Sequence, residues 1–269
     1  VTTVDDVPTR VLVPLDGTAT AQRALQPAAR IARQLRLPLE LVTVQDPVYE
    51  RWARDLDGLA EATDYADVEV EVVSGGWPGD VIVDLTREHP GTLVCLAARH
   101  RDRVDRLMLG SVSTHIIQNG VGPVLIVGPG FRPESSRSDY HRLLVCLDGS
   151  PRAAAAVPTA MRFAAHAGLH VDLVHVTDSV DEPAAPPSEH EHLAAAARTL
   201  RAAGVDVGTT LLAGEDPAGE VARLLSEDRE TIAVVGTHGR TGVARMLLGS
   251  VTMDLIERSP VPLLITRTS

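Results

Sequence analysis

Two stretches of this chain repeat one another. LVCLAARHRDRVDRLMLGSVSTHII runs from Leu93 to Ile117, and VVGTHGRTGVARMLLGSVTMDLI from Val234 to Ile256. Each begins as an apolar run and reaches a Gly-Ser pair, Gly110-Ser111 or Gly249-Ser250, that opens an amphipathic helix. Between run and helix the later copy carries Gly236 and Gly239, where the earlier has Ala97 and His100. A strand, a glycine-rich loop with free backbone N–H groups and a helix N-terminus are the parts of an anion cradle. A duplicated segment of this kind means that one folding unit is used twice, so every other element has to be read as one of a pair.

The remainder of the chain follows that pairing. RVLVP (Arg10 to Pro14) ends at Asp16-Gly17, and RLLVCLDGS repeats it with Asp148-Gly149. After the first turn, Ala21, Leu25, Ala28, Ala32 and Leu35 recur at helical spacing, with Pro27 inside the pattern. After the second, Val157, Met161, Ala164 and Gly168 do so, and Pro158 there parallels Pro27 only loosely. Further apolar runs read as strands at Leu39 to Val44, Val68 to Val73, Leu93 to Leu96 and Pro123 to Val127. In the second copy they lie at Val171 to Val176, Val205 to Leu211, Ile232 to Val235 and in LLIT. Ser188 and Glu191 have capping-box spacing ahead of a helix through Leu193, Ala197 and Leu200. Strands alternating with helices indicate parallel α/β sheets covered on both faces. The expected domains are 8–128 and 140–269, joined by the aperiodic linker 129–139.

Composition removes several function classes. The formal net charge of -11 argues against nucleic acid as a partner. All 25 basic residues are arginines, which excludes lysine Schiff bases, the P-loop lysine and protein-kinase chemistry. Cys95 and Cys146 sit in apolar runs and read as buried thiols. No run approaches the roughly 20 apolar residues of a membrane helix, and VTTVDDVPTR lacks the regions of a signal peptide. The expected compartment is the cytoplasm, without a membrane partner.

In a crossover sheet, ligands sit beyond the carboxyl ends of the strands, near the switch in strand order. The second copy gathers Asp148, Val176, Gly214 and Gly236 there. Asp148 can accept from ribose hydroxyls, Val176 can flank a base, and Gly236, Gly239, Gly249 and Ser250 can offer N–H groups and a hydroxyl to phosphates. The same glycines also serve as plain turn and cap residues, with Asp148 capping its own turn. His238 is a phosphate neighbour without an orienting partner, and no nucleophile elbow precedes Ser111 or Ser250. His190-Glu191-His192 reads as surface rather than metal site, and Trp52 and Trp77 as local packing.

With its complete G-x2-G-x9-G-[S/T] pattern at Gly236, Gly239, Gly249 and Ser250, the chain resembles a tandem universal stress protein. GTHGRTGVARMLLGSVT and SPVPLLI are also similar to that family, and the likeness spans both halves. It implies two five-stranded, Rossmann-like units of the adenine nucleotide alpha hydrolase-like kind. These would form an intrachain pseudo-dimer through antiparallel last strands near Leu125 and Leu264. The resemblance also implies ATP with Mg2+, with Asp148 at the ribose, Val176 at the adenine, and His238, Gly239, Arg240, Gly249, Ser250, Val251 and Thr252 along the triphosphate. In the first copy Asp16, Val44, Gly110, Ser111 and Ser113 match that pattern. Ala97 and His100 depart from it, removing a φ > 0 option and adding a side chain where phosphate would approach. Arg99, Arg101 and Arg103 put positive charge there, which either suits phosphate or merely solvates the loop.

The expected function is an ATP-binding regulator of the stress response with little or no hydrolysis, acting through a population shift on a protein partner that the sequence leaves unnamed. A homodimer is the further assembly to test. The competing readings are a nucleotide-independent interaction scaffold and an ATP-using enzyme, the latter weakened by the missing lysine and catalytic base.

Overall fold

The computed structural model describes residues 7–45, 53–100, 107–133, 138–177, 187–237 and 248–267. The chain divides into two units, Val1–Val127 and Gly128–Ser269. In the first, the elements run β1 (Arg10–Pro14), α1 (Ala19–Gln22), α2 (Leu25–Leu35), β2 (Leu39–Gln45), α3 (Ala53–Ala62), β3 (Val68–Ser74), α4 (Pro78–Glu88) and β4 (Thr92–Ala97). A short antiparallel pair follows, β5 (Arg99–His100) with β6 (Leu107–Met108), then α5 (Ser111–Asn119) and β7 (Val124–Val127). The long strands take the order β3-β2-β1-β4-β7, all parallel.

The second unit repeats this with β8 (Arg142–Cys146), α6 (Pro151–Ala154), α7 (Ala156–Ala167), β9 (His170–Thr177), α8 (Pro187–Ala202), β10 (Val207–Ala213), α9 (Pro217–Glu227), β11 (Thr231–Thr237), α10 (Ser250–Arg258) and β12 (Leu263–Arg267). Its order is β10-β9-β8-β11-β12, again parallel. Helices cover both faces of central strands, so these read as unbroken apolar runs: Val11, Leu12 and Val13, like Leu143, Leu144 and Val145, are wholly buried. The outer strand β3 instead has no buried residue, and Glu69, Val70 and Val72 are exposed.

Several details differ from the sequence expectation. The first helix of each copy is broken in two, and Pro27 and Pro158 each occupy the third position of the second piece. A first-turn N–H has no intrahelical acceptor, so proline is tolerated there, and the two prolines are therefore close structural equivalents. Gly168 does not face inward; it is the left-handed cap of α7 at φ 67°, while Phe163 and Ala160 fill the core. Ser188 stands within α8 rather than ahead of it. Leu193, Ala197 and Leu200 are buried as the spacing predicts.

The described part of the connecting segment is docked rather than loose. Gly130 N donates to Glu257 O at 2.9 Å and Arg132 N to Pro260 O at 3.3 Å. Phe131 and Tyr140 are buried. Gly128 passes so close to α10 that a Cβ on it would lie 1.6 Å from the Ile256 carbonyl oxygen. Aperiodic composition hides this docking because the bonds are made by backbone groups, which any sequence carries.

Candidate functional site

In each unit the middle pair of strands, β1/β4 or β8/β11, feeds crossovers to opposite sides, leaving a crevice beyond their carboxyl ends. Asp16 and Asp148 stand at those ends, both exposed. Each is followed by a glycine in the left-handed region, Gly17 at φ 75° and Gly149 at φ 76°, where a Cβ would be strained. Asp16 Oδ1 accepts from Thr18 N at 3.1 Å and from Thr18 Oγ1 at 2.6 Å. Asp148 Oδ1 accepts from Ser150 N at 2.9 Å. Thr18 Oγ1 and Ser150 Oγ in turn accept from Ala21 N and Ala153 N, each at 3.2 Å. Both carboxylates thus close their own turns, and a carboxylate has acceptor capacity beyond one oxygen.

Sequence reasoning missed what holds these turns. The carbonyl of Leu15 accepts from Thr43 Oγ1 at 2.9 Å, and that of Leu147 from His175 Nδ1 at 2.8 Å. A carbonyl only accepts, so His175 carries its proton on Nδ1 in this contact. Thr43 and His175 occupy equivalent positions, one residue before Val44 and Val176. The signal was a polar residue inside each otherwise apolar run, LELVTVQ and HVDLVHVT. Val44 and Val176 themselves are half-buried at the strand ends.

The helix entries are near copies. Gly110 caps α5 at φ -60°, ψ 159°, and Gly249 caps α10 at φ -61°, ψ 161°; neither helix has a side-chain cap or an acidic residue in its first turn. Among the described residues, a Cβ on either glycine would meet nothing within 4 Å. The leading N–H groups of Ser111, Val112 and Ser113, and of Ser250, Val251 and Thr252, therefore open each helix at its positive dipole end. Val251 is 47 % exposed.

Gly236 lies within β11, paired with Thr266, as Ala97 lies within β4, paired with Val127. Extended backbone suits any residue, so, contrary to the expectation from sequence, alanine at this position removes no φ > 0 conformation. The strand ladder overrides glycine's tendency to break a run. Gly214 donates to Thr177 O at 3.0 Å. The Glu220 side chain packs on it, its Cγ 2.7 Å from where a Cβ would stand. His238, Gly239 and Arg240 lie outside the described residues, as do Arg101 and Arg103. In the first unit the backbone of Arg99 and His100 pairs with Met108 and Leu107.

Cys95 and Cys146 are free thiols. Burial, with the nearby charge of Asp148, pushes the Cys146 thiol up to about 12, and burial raises Cys95 as well. Neither is a thiolate nucleophile at neutral pH. Among the described residues, no cluster of His, Cys, Asp and Glu is placed to hold a metal ion. Among them too, no helix is long and apolar enough to cross a membrane.

The model of the Universal stress protein family matches residues 8–128 and again residues 139–267. The chain belongs to that family. It is 27% identical over 291 residues to a universal stress protein of Mycolicibacterium smegmatis, covering 96% of each chain. The crystal structure of a universal stress protein from Archaeoglobus fulgidus superposes with a TM-score of 0.71 at 20% identity, over 97% of this chain and 99% of that one. A putative universal stress protein from Pseudomonas aeruginosa gives 0.63 at 18% identity, over 98% and 94%. These likenesses carry the tandem α/β fold of the family across both units.

Proposed function

We propose that this universal stress protein is an ATP-binding regulator with little or no hydrolysis, and that the second unit holds the tighter site. The observation that carries the reading is the pairing of an uncapped helix entry at Gly249-Ser250 with the Asp148 turn at the switch point of one sheet. The helix end favours phosphate, and the carboxylate accepts from sugar hydroxyls. The space that the described residues leave open beyond Gly249 suits close approach of a bulky anion. Asp148 would hold the ribose, Val176 the base, and Gly249, Ser250, Val251 and Thr252 the phosphates, with Gly236, His238, Gly239 and Arg240 leading in. Asp16, Val44, Gly110, Ser111 and Ser113 form the weaker counterpart. Described residues provide no carboxylate cluster for Mg2+, which would then be carried largely by phosphate and water.

Residues 8–128 and 140–269 are the two domains of this reading, and 129–139 their connector.

Calorimetry with ATP and Mg2+ tests the assignment. Binding that is lost in Asp148→Ala and kept in Asp16→Ala is expected; the reverse ranking, or no binding, sinks it. Phosphate release should stay well below the ordinary enzyme range of about 1 to 1000 per second. A rate within that range, collapsing in His238→Ala with affinity intact, would make the protein an ATPase. The scaffold reading draws on the bonds with which Asp16 and Asp148 close their own turns. Partner capture unaffected by nucleotide would favour it.

A further inference from the structure

His192 stands in the second turn of α8, exposed, in a stretch whose composition reads as plain surface. A helix that follows a strand in a parallel crossover starts at the carboxyl edge of the sheet, and α8 follows β9 and packs on β9 and β10. Leu193, at 6 % exposure, anchors that turn to the sheet and fixes the direction in which its neighbour projects. The His192 ring reaches back over the end of β8. A Cβ on Gly149 would lie 3.2 Å from His192 Cδ2 and 3.6 Å from Nε2. The imidazole therefore rests on the residue next to the Asp148 carboxylate, where a Cβ would crowd it.

We propose that His192 is a specificity-determining residue of the second-unit site: with Asp148 it brackets the ribose, so that the site selects ribonucleotides over deoxyribonucleotides. This rests on the nucleotide-binding reading above. A ribose carries two neighbouring hydroxyls, each both donor and acceptor. Asp148 supplies acceptors only, whereas a neutral imidazole supplies one donor and one acceptor whichever tautomer it takes. A carboxylate beside an imidazole thus satisfies a diol better than either group alone. A sugar lacking one hydroxyl leaves one of the pair unused. The ring projects from a helix, anchored through its buried neighbour Leu193, rather than from a loop.

The test compares ATP, 2′-deoxy-ATP and 3′-deoxy-ATP by calorimetry on the full chain carrying Asp16→Ala, so that the second unit alone is read. With His192 in place, ATP should bind about tenfold more tightly than the weaker deoxynucleotide, the scale of one net hydrogen bond. His192→Ala should reduce that preference to within about twofold, with thermal unfolding unchanged because the side chain is exposed, and His192→Gln should restore part of it. Equal weakening of all ligands in His192→Ala, or an unchanged preference, overturns the role of His192 and leaves ATP binding standing. Failure of ATP to bind before His192 is changed removes the proposed function and this inference together.

Discussion

The residues with the largest structural leverage at the site are the two that brace the aspartate turns. His175 is buried and bonds the Leu147 carbonyl at 2.8 Å. Its replacement by alanine leaves a buried acceptor unpaired, which costs about 1–3 kcal/mol. We expect His175→Ala to lower stability by that amount in urea unfolding and to weaken binding at Asp148, while His175→Thr, copying Thr43, recovers part of both. Full stability in the alanine variant would show the brace to be incidental. Gly128→Ala makes a second residue-level case: its Cβ would collide with a backbone oxygen at 1.6 Å. Forced repacking of this kind costs about 1–3 kcal/mol, and a urea midpoint unchanged from the parent would contradict the docking of residues 128–130 onto α10. The Asp-Gly turns were legible in the sequence because their chemistry is local. The braces were not, since a threonine or histidine in an apolar run reads only as a strand residue until the neighbouring strand is placed beside it. Gly236 misled for the opposite reason: a local breaker was outvoted by its pairing with Thr266.

Among the elements, α5 and α10 show that the two copies share one helix entry down to a few degrees of backbone angle. This was half legible. The Gly-Ser repeat located both helices, but the glycines stand in extended backbone with open space around them among the described residues rather than in a special conformation, and spacing alone does not distinguish the two. Extended backbone with no described residue near the Cβ accommodates a branched side chain. Gly249→Val should therefore change stability by less than about 0.5 kcal/mol, yet lower ATP affinity at least tenfold by filling the approach to the leading N–H groups. Gly110→Val should have the same small effect on stability and far less on total binding. Calorimetry paired with thermal unfolding separates the outcomes, and loss of stability in step with affinity would mean that these glycines serve the helix and not a ligand. The broken first helices belong to this scale as well. Proline in a periodic pattern signals trouble without saying where the helix restarts, and only the finished structure shows both prolines in a first turn.

At the scale of the whole molecule, the two units repeat a charged bracket at the amino ends of their strands, opposite the candidate site. Arg10 joins Thr92 at 2.8 Å and Glu40 at 2.6 Å, and Arg142 joins Thr231 at 2.9 Å and Asp172 at 3.4 Å. Burial pushes the Glu40 carboxyl up to about 7, aided by the hydrogen bond and charge of Glu71 and by Glu69, against the pull of Arg10. Burial pulls the His170 imidazole down, but hydrogen bonds to Asp206 and Asp172 outweigh it and leave the group above its ordinary value. Both pKa values are raised by folding, so in both cases the folded state holds its proton more tightly than the unfolded chain. The stability each contributes is complete below its unfolded value and is lost as pH rises through the folded one: from about 4.5 to about 7 for Glu40, and above 6.5 for His170. The formal charge of -11 adds repulsion in the same direction as these groups lose protons. We expect the free energy of unfolding to fall by roughly 1–3 kcal/mol between pH 5.5 and pH 8.5, the reverse of a fold limited by carboxylates that need to be ionised. Glu40→Gln, neutral at every pH, should flatten the part of that slope below pH 7 and leave the part above it to His170. Urea unfolding at intervals across this range decides the matter, and a stability that rises with pH, or a slope untouched by Glu40→Gln, would show that the duplicated bracket does not set the proton linkage of the fold.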